Sequence, residues 1–163
     1  MTPITKHTGD LVITQANAEK YAHLQEVRGD LDISADAKLD ALTSVGGYLS
    51  IRADAKLDAP ALTKVSGHDL PSPEVAAARL RDVAGAALLV PQALKMSDWH
   101  TCETTHCIAG WGIHQAGPDG YKLEKAVGSA AAGAILLGLE AAHHFHVSEA
   151  KAREWLASKL EAA

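Results

Sequence analysis

Apolar and polar residues alternate in a unit that recurs along the N-terminal half of the chain. Three units begin Gly-x-Leu-x-Ile, at residues 9–13, 29–33 and 47–51. Alternation after a glycine predicts a short strand with one buried face. A unit this short cannot bury its own apolar face, so the units must stack as a solenoid. The stacking predicts two buried ladders, formed by Leu11, Leu31 and Leu49 and by Ile13, Ile33 and Ile51.

A heptapeptide that recurs without change is further evidence for the repeat. Ala-Asp-Ala-Lys-Leu-Asp-Ala occupies residues 35–41 and again residues 53–59. The apolar positions after the second copy fall two residues late, which predicts an outward bulge at Pro60 and Ala61. A fourth unit begins at Gly67 and is stopped by Pro71.

The second half reads as helical. Ser72 suits an N-cap, Pro73 the first helical position and Glu74 the first turn, which predicts a helix over residues 74–90 that Pro91 ends. Further helices are predicted over about residues 105–115, 123–137 and 148–160, and three glycines in the Ala-rich third helix should permit close helix packing: Gly128, Gly133 and Gly138. The predicted fold class is α+β, with a short β-solenoid over residues 1–70 capped by a helical bundle over residues 71–163.

Two resemblances accompany these patterns. Units of the type Leu-x-x-Val-x-Gly-x-Leu-x-Ile resemble leucine-rich-repeat-like solenoids of bacterial and phage proteins, over roughly residues 9–70. Residues 96–111, with Cys-x4-Cys-x-Ala-Gly-Trp, followed by Leu-Leu-Gly-Leu at 136–139 and Phe145, are similar to a small helical domain of bacterial and phage proteins of unassigned activity. Glu103 stands where that family has glycine. The resemblance implies a role in host–phage conflict, such as inhibition of a host defence complex.

Charge and hydropathy limit the kinds of partner and the compartment that we expect for this chain. The net charge is −5 and neither half is basic, so nucleic acid is an improbable ligand. The longest apolar run, residues 130–139, is too short to span a bilayer. The N-terminus has no signal-peptide pattern, and the two cysteines are expected to be reduced, so the predicted compartment is the cytoplasm.

The solenoid predicts a non-enzymatic protein-interaction module, because stacked repeats expose an extended regular surface. The alternative is that the repeats are only a scaffold. An acidic set that includes Asp30, Asp40 and Asp58 is expected on this surface. The end protected only by residues 1–8 suggests homo-oligomerisation through that end. The predicted partner-binding residues are Asp32, Asp36, Tyr48, Ser50, Arg52 and Asp54.

The second half concentrates cysteine and histidine, with six of the nine histidines between His100 and His146. Cysteine and histidine are the ligands that zinc prefers. Because Cys102 and Cys107 are too widely spaced for the usual Cys-x2-Cys pair, a zinc site would need a distant histidine pair. The candidate ligand set is Cys102, Cys107, His143 and His146.

Two other interpretations of this cluster stay open. In the first, the cysteines only pack, and Thr104 or Thr105 caps a helix that begins at His106. In the second, the protein is a metal- or thiol-dependent enzyme centred on Cys102 and Cys107. A helix start should then lower the pKa of Cys107. A neighbouring histidine would act as the base, with Glu103 or Asp98 as the nearby carboxylate.

Overall fold

The computed structural model describes residues 2–162 and shows a three-sided β-solenoid of about three turns followed by α-helices. Met1 and Ala163, the outermost residues of the two predicted domains, lie outside the described residues. This architecture confirms the predicted α+β class.

Each coil of the solenoid contributes one short strand to each of its sides. The first side contains β1 (Lys6–His7), β3 (Glu26–Val27), β6 (Ser44–Val45) and β9 (Lys64–Val65). The second side contains β2 (Leu11–Ile13), β4 (Leu31–Ile33) and β7 (Leu49–Ile51). The third side contains β5 (Ala37–Lys38) and β8 (Leu57–Asp58), and in the first coil a 3-10 helix, Glu19–Tyr21, takes this place in the chain order. Within each side, neighbouring coils pair in parallel.

The second side confirms both predicted ladders. Leu31 pairs with Leu11 on one side and with Leu49 on the other, and the three isoleucines pair in the same way. All six side chains are buried, while the residues between them face outward as Val12, Asp32 and Ser50. Period-two alternation therefore separates an apolar interior from a polar exterior face.

The repeated heptapeptide does not stack on itself as its 18-residue offset suggested. Ala37 pairs with Leu57, which is 20 positions later. The two extra residues of the third coil are therefore absorbed between Ile51 and Leu57, at the turn of Ala53 and Asp54, and the predicted bulge at residues 60–61 is wrong. A shift of two leaves every side chain on its original face, so the interior stays apolar.

The expected fourth unit is instead a hairpin. Strand β10 (His68–Asp69) pairs antiparallel with β9. Ser66 and Gly67 have φ of 51° and 77°, which is the left-handed backbone that a two-residue hairpin turn requires. The last edge of the first side is thus covered by the chain itself.

The second half contains the helices α1 (Pro73–Ala87), α2 (Ile108–Gln115), α3 (Gly117–Val127), α4 (Ser129–Leu137), α5 (Leu139–Ala142) and α6 (Glu149–Glu161). A small hairpin of β11 (His100–Cys102) and β12 (Thr105–His106) precedes α2. Ser72 caps α1 as predicted and Ser148 caps α6, and each side chain accepts a backbone N–H three residues on. No helix among residues 2–162 is long and apolar enough to cross a membrane.

The boundaries of three predicted helices are wrong. The first helix ends at Ala87 rather than residue 90. The helix predicted from residue 105 begins at Ile108, because residues 105–106 pair in the hairpin and Cys107 is the N-cap. The helix predicted over residues 123–137 begins earlier, at Gly117, and is two helices, since Gly128 has φ of 86° and interrupts the run.

The helical bundle closes the C-terminal end of the solenoid, as the sequence predicts. Helices α4 and α5 contact β7, and α4 also contacts β9. Within the bundle, a Cβ at Gly133 would lie 2.6 Å from the Cβ of Ala109, so this glycine permits the close approach of α4 to α2. Gly128 and Gly138 instead have positive φ and mark helix ends.

Candidate functional site

The second side of the solenoid presents a polar concavity of about 530 Å³ beside the bundle. Asp32, Ser50, Arg52 and Asp54 line it together with His146, so four of the six predicted binding residues lie in one place. The outward positions of β4 and β7 supply Asp32 and Ser50. Arg52 and Asp54 follow from the turn after β7 that absorbs the two extra residues.

The charges in this concavity are partly paired. Nη2 of Arg52 lies 3.2 Å from Oδ2 of Asp32, and Ser34 donates its hydroxyl to the same carboxylate at 3.4 Å. Partial burial lowers the pKa of His146, while the nearby Asp32 raises it and Arg52 lowers it further. The imidazole is therefore predominantly neutral near pH 7, and the surface displays one ion pair, one further carboxylate and two hydroxyls.

The other two predicted binding residues lie outside the concavity. Oδ1 of Asp36 accepts the backbone N–H of Lys56 at 2.9 Å, so this carboxylate joins neighbouring coils. Tyr48 is 46% exposed but does not line the concavity. Asp36 therefore has a structural contact, and Tyr48 is an isolated aromatic ring on the surface.

An aspartate ladder was missed from the sequence. Asp10 Oδ1 accepts the backbone N–H of Asp30 at 2.9 Å, and Asp30 Oδ1 accepts the N–H of Tyr48 at 3.0 Å. A Cβ at Gly47 would lie 1.8 Å from Oδ1 of Asp30, so the glycine that opens a unit makes room for the aspartate of the coil before it. The recurring Gly-Asp pair was the available signal.

The four predicted zinc ligands do not come together at one site. Cys107 and His146 line one small cavity of about 260 Å³ with Trp99 and Phe145. Cys102 is exposed on the β11–β12 hairpin. Within residues 2–162, no group of three or more histidine, cysteine, aspartate or glutamate side chains is arranged to hold a metal ion.

His143 has a contact that the sequence did not predict. Its Nδ1 lies 2.9 Å from the carbonyl oxygen of Leu139, and its Nε2 lies 3.1 Å from both the backbone nitrogen and the carbonyl oxygen of Leu57. A ring that donates from Nδ1 can accept the Leu57 N–H at Nε2 or, when Nε2 is protonated, donate to the Leu57 carbonyl oxygen. His143 thus fastens the end of α5 to the edge strand β8.

The two thiols have opposite environments. Burial raises the pKa of Cys107 to about 11, although its Sγ accepts the N–H of Gly110 at 3.4 Å. The expectation that the helix start lowers the pKa of Cys107 is wrong, because desolvation of the buried thiolate outweighs the helix dipole. Hydrogen bonds from Thr104 and Thr105 lower the pKa of the exposed Cys102 to about 7.

A hydrogen-bonded histidine pair links the hairpin to α3. Nδ1 of His100 lies 2.9 Å from Nδ1 of His106, and Nε2 of His100 lies 3.0 Å from a carboxylate oxygen of Glu124. Nε2 of His106 lies 3.2 Å from the carbonyl oxygen of Glu103, and Ser129 donates its hydroxyl to Glu124. Burial lowers the pKa of His106, which favours the neutral form of this ring.

Glu124 is the functional residue that sequence reasoning missed in this cluster. Glu103 and Asp98 are the carboxylates near this cluster in the sequence, whereas Glu124 lies 24 residues from His100 along the chain. No short spacing in the sequence indicates that His100 and Glu124 are close in the fold. Both ring nitrogens of His100 are engaged by His106 and Glu124, so the pair has the geometry of a structural latch rather than of a free general base.

The fold and site define a short β-solenoid capped by a helical bundle, with a polar concavity at their junction. No known protein family matches the sequence, and neither a curated protein nor a solved structure matches the chain. The resemblance to bacterial and phage proteins therefore stays a prediction, and function rests on the chemistry of the molecule itself.

Proposed function

We propose that this protein is a non-enzymatic protein-interaction module that binds a partner protein through the second side of its solenoid. The observation that carries the proposal is the gathering of Asp32, Ser50, Arg52 and Asp54 around one concavity. Parallel strands on a continuous ladder hold Asp32 and Ser50 in fixed positions, which reduces the entropy lost on binding.

The concavity suits a protein surface better than a nucleic acid. It displays the Asp32–Arg52 pair, the carboxylate of Asp54 and two hydroxyls, in a chain of net charge −5. Mixed charges of this kind fix the register of a partner and exclude wrong partners. A phosphate backbone would instead need a cluster of lysine and arginine.

The proposal extends to the biological setting that the resemblance implies. We place the protein in the cytoplasm as a bacterial or phage accessory protein that inhibits a host defence complex. Affinity capture from the native host or from infected cells, followed by mass spectrometry, is the experiment that identifies the partner.

Charge-reversal variants make this capture experiment specific. Arg52→Glu and Asp54→Lys change the concavity, and Lys38→Glu is a matched control because Lys38 is an exposed cation on the third side. We expect wild type and the control to recover the same partner, and each concavity variant to recover about tenfold less. Equal recovery by all four folded proteins, checked by circular dichroism, would show that the partner binds elsewhere.

Self-association through the N-terminal end is part of the proposal. Strands β1 and β2 are the edge strands at this end, and the side chain of Val12 there is 47% exposed. Exposed strand edges favour pairing with another chain. Light scattering over a range of concentrations tests it, and a constant monomer mass would exclude it.

A metal- or thiol-dependent enzyme centred on Cys102 and Cys107 is the second candidate function. The observation that favours it is the exposed Cys102 thiol, whose pKa is lowered to about 7. Thiolates are the nucleophilic form of cysteine. Under this alternative, Cys102→Ser abolishes an activity while partner capture is unchanged, and zinc analysis of tag-free protein tests the metal-dependent form.

A further inference from the structure

A second cavity, of about 910 Å³, lies between the third coil and α6. The coil contributes the small side chains of Ala53 and Ala55, and α6 contributes Trp155. Leu139 and Val147 also line it. Its volume falls in the range of sites that hold small organic molecules, and its position differs from that of the proposed partner-binding concavity.

An aromatic platform forms part of the cavity wall. The rings of Trp155 and His144 stack with centroids 3.9 Å apart and an interplanar angle of 13°. Burial lowers the pKa of His144 to about 4, so this ring is neutral near pH 7 and adds apolar surface. Nζ of Lys159 also lies over the Trp155 ring, 5.0 Å from its centroid, so an apolar ligand gains contact area with the part of the tryptophan that these two neighbours leave exposed.

Two lysines from different elements stand beside this apolar surface. Lys56 belongs to the third coil and Lys151 to α6, and neither forms an ion pair within residues 2–162. Of the carboxylates that line the cavity, Glu140 is already bound by Lys159, whereas Glu154 has no such partner among the described residues. With Glu140 bound by Lys159, the lining presents two lysines without an ion pair against one such glutamate among the described residues.

We propose that this cavity binds a small organic anion with an apolar body, such as a medium-chain or aromatic carboxylate. The apolar body lies against Trp155, Leu139 and Val147, and the anionic head meets Lys56 and Lys151. The site adjoins the partner-binding concavity, because Ala53 lines both, but the lysines that meet the anion line only this cavity.

Isothermal titration calorimetry with dodecanoate tests the proposal, with decyltrimethylammonium as a probe of similar shape and opposite charge. We expect saturable binding of one dodecanoate per chain and no comparable binding of the cation. Absence of saturable dodecanoate binding to folded wild-type protein, or equal affinity for the cation, would overturn it.

Charge variants test the head-group contacts. Lys56→Gln and Lys151→Gln should each weaken dodecanoate binding about two- to fivefold, the effect expected of one solvent-exposed ion pair. Glu154→Gln should strengthen it, since it removes a like charge from the cavity. These three side chains are exposed, so the variants should remain folded. Unchanged affinity in both lysine variants would refute the assigned head-group position.

A filling variant tests the location. Ser158→Leu places a larger side chain in the cavity and should reduce dodecanoate affinity at least several-fold, and Ser158 does not line the partner-binding concavity. Ala150→Leu is the matched control, because Ala150 is exposed on the same helix and does not line the cavity. Equal loss in both variants, or no loss in Ser158→Leu, would place the ligand elsewhere. Partner capture by Ala150→Leu should stay at the wild-type level.

Discussion

Replacement of Asp30 by alanine removes one link of the aspartate ladder, and replacement of Gly47 by alanine should break the same link from the other side. Asp30→Ala deletes the carboxylate that accepts the Tyr48 N–H at 3.0 Å. Because this exposed hydrogen bond involves a charged group, we expect a loss of about 1–2 kcal/mol in the free energy of unfolding. Gly47→Ala places a Cβ 1.8 Å from Oδ1 of Asp30, which forces the carboxylate away and loses the same bond with some added strain, about 1–3 kcal/mol.

The two substitutions should therefore be strongly non-additive. In the double variant no carboxylate remains for the new Cβ at position 47 to displace, and only its contact of 2.9 Å with the backbone nitrogen of residue 30 is left. The combined loss should therefore fall short of the sum of the single losses by about 1 kcal/mol. Urea unfolding monitored by circular dichroism measures all four proteins. Gly85→Ala is the control: its Cβ meets no atom within 4 Å inside α1, so it should stabilise by up to about 1 kcal/mol. Additive losses from Asp30→Ala and Gly47→Ala would refute the ladder as a coupled unit.

Three other perturbations test separate features. At pH 7 a thiol reagent should label Cys102 in the native protein and Cys107 only after unfolding, since their pKa values are about 7 and about 11. Mass spectrometry of the labelled peptides shows which cysteine reacts first, and labelling of Cys107 in the native protein would contradict its burial. Because the pKa of His144 is lowered, protonation of its ring disfavours the folded state, so the free energy of unfolding should fall as pH drops from 6.5 towards about 4. His144→Phe should reduce this dependence of the free energy of unfolding on pH, as measured by denaturation at several pH values. An unchanged dependence would assign the effect to other groups. Asn17→Ala removes the amide that donates to the Val12 carbonyl oxygen at 2.9 Å on an edge strand, so sedimentation velocity should detect more self-association than in wild type. A variant that associates no more than wild type would show that this edge does not pair with another chain.

The ladders were predictable because their signal is local and periodic. Leu31 and Leu49 each follow a glycine by two positions and precede an isoleucine by two, and only stacking buries such short units. The register of the third side was not predictable from identity of sequence. Ala37 pairs with Leu57 after a shift of two, and both registers leave the interior apolar, so the pattern of hydrophobic residues cannot distinguish them.

In the candidate sites too, the sequence predicts the residues that a local pattern brings together and misses those that only tertiary packing brings together. Asp32 and Ser50 lie together because they pair on the outward face of adjacent strands, as alternation predicts, and Arg52 and Asp54 join them from the turn after β7. The partner of His100 escaped prediction because Glu124 is brought near only when α3 packs beside the hairpin. The helix break at Gly128 was missed because an Ala-rich run around a glycine also suits an uninterrupted helix.

The hairpin of β9 and β10 gives the solenoid a direction of growth. It folds the chain back over one end of the first side, and the bundle occupies the same end, so further coils can be added or removed only upstream of them. Residues that pair between the second and third coils on the second side are 18 positions apart, as Leu31 and Leu49 show. Duplication of residues 29–46 as an in-frame cassette should therefore yield a longer protein that keeps both terminal structures. The natural length would then be one member of a series that gene duplication can extend in whole-coil steps.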